Sequence, residues 1–446
     1  MSKWEDMYEA KLTTPEDIAG EIKSGDHVFA SGASSTPVAI LDALFDRALA
    51  GEIEGVQLGN FIMLANVFKV LKPELQRNIL IDNYYASPLD RKALAEGLMT
   101  HTPYHFHSMT RQAVEATGYR KLIVQAGPMD KQGYLNLGLM SNVLDVLGDM
   151  EKVYVEVNDQ QPIVHGPNWV HISQVDKLTE NHHSVFALPP DPITERDQAI
   201  AENIIDLIED GSTIQLGIGG TTNAIGELLT RKKHLGCHTE MIGDAYMKLF
   251  EAGVLDNTRK NFHPHQMLCY FVFGSQDLYD WVNDNPMIYL SPISYNNDPW
   301  VIGKNDNLIS INTTLEIDIT GQCASESFGP IQYTATGGQV DFTRGAWISK
   351  GGKAFIVTHS VVEDKETGEL KSKIVPQLMP GAVVTLTRTD VMYVATEYGV
   401  VNLRGKSLRQ RAQALISIAH PDFRRELSNY AKEVRYFILP EHDPLG

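Results

Sequence analysis

The sequence predicts an α/β protein of two similar halves, each a parallel sheet with helices on both faces, and three observations lead there. The first is an internal echo. Residues 18–44 read IAGEIKSGDHVFASGASSTPVAILDAL, and residues 200–229 read IAENIIDLIEDGSTIQLGIGGTTNAIGELL. Each run is an amphipathic helix, a Gly-Asp or Gly-Ser turn, a short apolar strand, a small-residue loop and a second helix, and such a duplication implies two similar α/β units. The second is the alternation of strand-like runs with helical ones. The third is length: 446 residues exceed one ordinary core and suggest two domains or three. The boundary is expected in the Pro-rich stretch at 188–193, giving domains 1–190 and 191–446.

Taken in chain order, the first echo places a strand before the loop Ser31-Gly-Ala-Ser-Ser-Thr-Pro. The run Asn60-Phe-Ile-Met-Leu-Ala reads equally as core or as the wall of a small apolar pocket. His101, His105 and His107 alternate near Tyr104 and Phe106, and His263 and His265 flank Pro264. None has acidic or thiol partners at ligand spacing, so no metal site is expected. Strands are expected from Lys121 to Ala126, Val153 to Val157, Ala354 to Thr358 and Val383 to Thr387. The charged run 363–369 reads as a solvated hairpin or loop. A final helix is expected over 407–418, with Arg409 and Arg411 on its polar side and a stop at His420-Pro421.

Two segments carry chemistry. The second echo ends its strand in Gln-Leu-Gly-Ile-Gly-Gly-Thr-Thr (215–222). Gly217, Gly219 and Gly220 let backbone approach a ligand, and the helix that follows adds partial positive charge. The loop lacks both the dinucleotide fingerprint and the Lys-Ser/Thr of a P-loop, and a tight strand-to-helix turn explains it as well. In parallel sheets, ligands bind beyond the carboxyl ends of strands, where this loop falls. About one helix and one turn later comes Gly-Cys-His-Thr-Glu-Met-Ile-Gly-Asp (236–244), with Gly236 expected to end the helix and Glu240 at a strand edge. A carboxylate at a water-poor site rich in N–H groups can act as a covalent nucleophile, which points to acyl-group or coenzyme A chemistry. Cys237 and His238 are adjacent on an extended segment and face opposite ways, so a thiol–imidazole dyad is not expected and Cys237 reads as core. A third cluster, Thr-Gly-Gly-Gln-Val-Asp-Phe-Thr-Arg-Gly (336–345), reads as paired glycines before a strand that permit backbone contact with a ligand, or equally as a structural turn, with Asp341 and Arg344 a structural pair.

Composition removes other classes. Hydrophobic content of 43% with 21% charged residues is that of a globular enzyme. A formal charge of −18 argues against nucleic acid and anionic membranes, which need a basic face. No apolar run approaches the roughly 20 residues that span a bilayer. The first residues lack a signal-peptide pattern, and three cysteines without metal or disulfide spacing fit a reducing cytoplasm.

Together these runs resemble the acetyl-CoA hydrolase/transferase family, and within it the 4-hydroxybutyrate and butyryl-CoA:acetate CoA-transferase group. The resemblance rests on 216–220, 236–242 and 337–346, and on Glu-Val-Asn-Asp-Gln-Gln-Pro at 156–162, Thr-Glu-Tyr-Gly at 396–399, Leu-Arg-Gly-Lys-Ser-Leu at 403–408 and Ala-His-Pro-Asp-Phe at 419–423. It covers nearly the whole chain. It implies two doubly wound α/β domains of the CoA-transferase type, Glu240 as the nucleophile, and Asn297 polarising a carbonyl. It also implies coenzyme A contacts at Gly217, Ile218, Gly219, Gly220, Thr221, Gly337 and Gly338. Gly243-Asp-Ala stands where relatives often carry Ser-Asp-Gly. The implied activity moves CoA between a short-chain acyl-CoA and acetate or another small carboxylate, through a glutamyl-CoA thioester. No metal or permanently bound cofactor is needed, and a homodimer or homotetramer is expected. Two other readings stay open: an acyl-CoA hydrolase using the same glutamate, and a non-catalytic binding or regulatory protein on a related fold.

Overall fold

The computed structural model describes residues 2–63 and 67–445. Leu64 and Ala65, the end of the Asn60 run, lie outside the described residues.

The first sheet runs, edge to edge, through Thr100–His101, Ile79–Asn83, Val56–Asn60, His27–Ala30, Lys121–Ala126, Lys152–Val157 and Lys177–Glu180. Every pairing in it is parallel. Val28, Phe29, Leu122, Ile123 and Val155 are fully covered, as strands with helices on both faces require. The order reverses at His27–Ala30, the strand of the first echo.

The second sheet has the same plan. Thr213–Leu216, the strand of the second echo, lies between Gly236–Cys237 and Leu308–Thr313, and Lys353–Val357 and Tyr393–Thr396 follow in parallel. Gly399–Asn402 closes that edge as an antiparallel hairpin arm. On the other side His238 bridges Leu268 in the parallel sense, and Met267–Cys269 pairs in parallel with Ile288–Leu290. The echo thus extends to a doubly wound order in both halves, with each echoed strand at the switch point where such folds bind ligands. Residues 181–194, which hold the Pro-rich stretch, carry neither helix nor strand.

The halves touch through apolar residues. Phe61, Phe106, Leu137 and Met140 of the first half share a core with Tyr270, Phe271 and Ile293 of the second.

Several local expectations are corrected. Gly236 opens a strand rather than ending a helix, because the preceding helix stops earlier, in a turn at Leu229–Arg231. Gly337 and Gly338 precede a helix, Gln339–Ile348, not a strand. Asp341 and Arg344 do not pair with each other: Asp341 bonds His107 and Arg344 bonds Asp390. Val383 to Thr387 makes one isolated bridge, Leu386 to Cys323, and no strand; Val383 and Val384 are exposed. The last helix spans Leu408–Ser417, capped by Ser407, but Arg411 is buried, its guanidinium donating to the carbonyls of Thr320 and Arg388. The charged run does form a hairpin turn, between Val361–Glu363 and Leu370–Ser372.

Candidate active site

Glu240 sits between two short strands, Gly236–Cys237 and Met241–Ile242. Its carbonyl accepts from the backbone N–H groups of Tyr270 and Phe271 at 3.0 and 3.1 Å, which fixes the backbone there. The residues before it are locked. Cys237 is fully buried, and burial pushes its thiol up to about 12. His238 is fully buried between the Asn296 carbonyl and the Asn305 amide, each at 2.8 Å, and burial drives its pKa down to about 3. A neutral imidazole and an unreactive thiol are structural parts, as their opposite facing predicts.

Asn297 caps a short helix, Ile293–Asn296, and is fully buried. Asn296 donates to the Asn297 side-chain oxygen at 2.8 Å, and with its other donor to the Thr239 carbonyl at 2.8 Å. That contact assigns the Asn297 amide: its oxygen is taken, and its Nδ2 donates to Glu240 Oε2 at 2.9 Å. Against the same oxygen stands Gly338. A Cβ there would lie 2.0 Å from Glu240 Oε2 and 2.7 Å from Asn297 Nδ2, so only glycine leaves room for the carboxylate. Gly337 has a φ of +55°, and a Cβ there would meet the ring of Tyr85 at 2.8 Å. Helix Gln339–Ile348 starts immediately after, so the positive end of its dipole begins beside the same carboxylate.

Glu240 keeps part of its surface open, yet protein atoms crowd its carboxyl. Burial raises its pKa to about 8; the Asn297 amide and the Gly338 backbone lower it, and the Asp341 charge raises it. A carboxyl perturbed in this way is a candidate for covalent or proton-transfer chemistry.

The glycine loop forms a second part of the region. Gly217, Ile218 and Gly219 line a cavity of about 120 Å³ with Met241, Gly243, Asp244 and Phe273. Met241, the residue after Glu240, lines this cavity, and Glu240 itself does not. A neighbouring groove of about 460 Å³ shares Pro190, Asp191, Asn223, Asp244 and Ala245 with it and reaches Lys248. The N–H of Gly217 is committed to the Ile311 carbonyl at 2.9 Å. Gly219 has φ +124° with open space around a would-be Cβ, so backbone conformation and not crowding demands glycine there. Gly220 and Thr221 turn to Asp197 instead: the Thr221 hydroxyl donates to its carboxylate, and a Cβ on Gly220 would lie 3.1 Å from it. The structure thus gathers Glu240, Asn297, Gly337 and Gly338 in one cluster, and Gly217, Ile218 and Gly219 along the adjoining cavity.

Sequence reasoning missed the residues reaching the cluster from elsewhere. Tyr85 comes from the first half and packs on Gly337, Phe61 and Phe106. Asp197 is bonded by Thr194, Thr221 and His359, the imidazole Nε2 at 2.8 Å. Its position after a Thr, at the third helical residue, is a capping-box signal legible in Thr-Glu-Arg-Asp (194–197), though its grip on the glycine loop is not. Phe61 and Met63 are fully buried, which fits the core reading of the Asn60 run. Among the described residues no group of three or more His, Cys, Asp or Glu side chains is placed to hold a metal ion.

Residues 1–190 match the family model of the acetyl-CoA hydrolase/transferase N-terminal domain, and residues 274–431 that of the acetyl-CoA hydrolase/transferase C-terminal domain. The chain is 40% identical to a succinyl-CoA:cyclohexane-1-carboxylate CoA transferase of Geobacter metallireducens, over 97% of each chain. It is 37% identical to a 4-hydroxybutyrate coenzyme A transferase of Clostridium kluyveri, over 97% of this chain and 99% of that one. Among solved structures it resembles RipA from Yersinia pestis, with a TM-score of 0.91 and 35% identity over 98% of this chain and 100% of the other. The chain belongs to the acetyl-CoA hydrolase/transferase family and is an enzyme of the CoA-transferase kind.

Proposed function

We propose that this enzyme moves CoA between a short-chain acyl-CoA, of butyryl or 4-hydroxybutyryl type, and acetate or another small carboxylate, with Glu240 as the covalent carrier. The observation that carries the reading is the carboxylate held between the Asn297 amide and Gly338 at a helix N-terminus. In the first step the Glu240 carboxylate attacks the thioester carbonyl, and the C–S bond breaks to give an acyl–glutamyl anhydride and CoA thiolate. The thiolate attacks the glutamyl carbonyl and expels the donor acid as a carboxylate, leaving a glutamyl-CoA thioester. The acceptor carboxylate attacks that thioester and releases CoA thiolate. The thiolate attacks the acyl carbonyl of the new anhydride, giving new acyl-CoA and free Glu240. Asn297 Nδ2 and the N–H groups near Gly338 are suited to stabilising the oxyanions, each such donor being worth roughly 100- to 1,000-fold in rate.

Gly217, Ile218, Gly219, Gly220, Thr221, Gly337 and Gly338 are assigned to coenzyme A. The cavity along Gly217–Gly219 beside Met241 supports this for the loop, and Gly220 and Thr221 would act by holding it. Within this reading, residues 191–446 carry the chemistry and residues 1–190 supply Tyr85, which packs on Gly337, as the wall on which the acyl chain lies. Coenzyme A enters as substrate, with no resident cofactor, in a homo-oligomer of the cytoplasm. Transfer rather than hydrolysis follows if water is kept from the two anhydrides, and the crowding around the Glu240 carboxyl favours that.

The test mixes acyl-CoA with acetate, succinate, butyrate, 4-hydroxybutyrate and cyclohexane-1-carboxylate, and measures new CoA ester against free thiol. New ester in excess of thiol, with the small linear acids preferred, is expected; free thiol alone would make the enzyme a hydrolase.

A further inference from the structure

Behind Glu240 the helix Gln339–Ile348 carries a second carboxylate, Asp341, three residues beyond Gly338 and 1% exposed. Its partner comes from the other half of the chain. His107 Nδ1 lies 2.8 Å from Asp341 Oδ1, and the His107 backbone N–H donates to Oδ2 at 2.9 Å. His107 belongs to a turn, Phe106–Ser108, whose Phe106 packs on Phe61, Tyr85 and Tyr270. Two carboxylates thus stand at one helix end, and an imidazole from the other half closes the far one.

We propose that the Asp341–His107 pair is a positioning device for Glu240: Asp341 keeps the nucleophilic carboxylate at high energy, and His107 limits how far. The inference rests on reading Glu240 as the nucleophile. A like charge nearby destabilises the Glu240 anion, and conversion to the thioester removes that charge, so repulsion present before attack is relieved in the covalent state. A more basic carboxylate is also a stronger nucleophile. Protonated His107 offsets the Asp341 charge, and its own pKa is raised, first by the hydrogen bond to Asp341. The other groups facing the pair are Asp298 and Arg344 around His107 and His105 near Asp341. Arg344 is bonded to Asp390 at 3.3 Å. Tyr85 and Tyr270 face Glu240, with Arg91 beyond Tyr85; burial raises both phenols far out of range, so neither supplies charge.

The experiment is the pH profile of kcat/KM for CoA exchange, whose acid limb reports the free enzyme's essential base, in Asp341→Asn and His107→Gln. Both replacements keep the shape and a hydrogen bond. Asp341→Asn should move the acid limb to lower pH, and His107→Gln to higher pH, each by about half to one unit. A structural role would lower the rate at every pH and leave the limb in place. Limbs that stay put, or move the same way in both variants, overturn the proposal, and either variant alone tests its own sign. Glu240→Ala run alongside separates the two readings. Loss of exchange in it with unmoved limbs in the others sinks only the positioning role, and retained exchange sinks the nucleophile itself.

Discussion

A Cβ on Gly338 would stand 2.0 Å from the Glu240 oxygen, so Gly338→Ala must displace the carboxylate or the helix end. Misplacing a reacting group by about 1 Å costs on the order of 100-fold, and that drop in kcat for CoA exchange is the expected outcome, read beside an unchanged circular dichroism spectrum. Asn297→Ala removes a bond that lowers the Glu240 pKa and, under the proposed mechanism, an oxyanion donor as well. Exchange should fall roughly 100- to 1,000-fold, with the acid limb of kcat/KM moving to higher pH. In the parent enzyme that limb should lie near pH 8, because Glu240 must be ionised to attack and its pKa is raised to about 8. The sign for stability is opposite. The folded pKa exceeds the unfolded one, so the contribution of Glu240 is full at acid pH and is lost as pH rises through 8. Glu240→Gln should accordingly gain stability over the parent between pH 5 and pH 9, by about 1–3 kcal/mol in urea unfolding.

At the scale of elements, helix Gln339–Ile348 was unreadable as a helix because Gln339, Val340, Asp341, Phe342 and Thr343 are all buried. A segment covered on every side loses the one-face period that marks a helix, and its Gly-Gly start with alternating apolar residues imitates a strand. The failed strand at Val383 to Thr387 has the opposite cause: Val383 and Val384 lie exposed, and the Val383 N–H bonds the Ser327 hydroxyl rather than a backbone carbonyl of a ladder. The glycine loop was legible, down to the strand end it occupies, while the clamp that holds it was not. Asp197 binds the Thr221 hydroxyl from a different helix, 24 residues away in sequence. Thr221→Val should loosen the loop and raise KM for acyl-CoA by about 10-fold with a smaller change in kcat, measured by steady-state exchange.

For the whole molecule, duplication was the most legible feature, since both echoed strands stand at the switch points of doubly wound sheets. What a single chain could not reveal is how the halves meet. Tyr85 against Gly337 and His107 against Asp341 join residues more than two hundred positions apart, and no local pattern encodes such contacts. Within the candidate site, Glu240, Asn297 and the Gly337–Gly338 pair were named from sequence and resemblance and lie together. Cys237 was expected to be a core residue and is buried, as are Cys269 and Cys323. Iodoacetamide should leave native enzyme fully active, and thiol labelling should appear only on unfolding. The most direct test of the central claim is mass spectrometry of enzyme incubated with acyl-CoA and quenched before the acceptor is added. A CoA-sized adduct on the one peptide containing Glu240, absent in Glu240→Ala, is the predicted result; an adduct on another residue, or turnover with none, would contradict it.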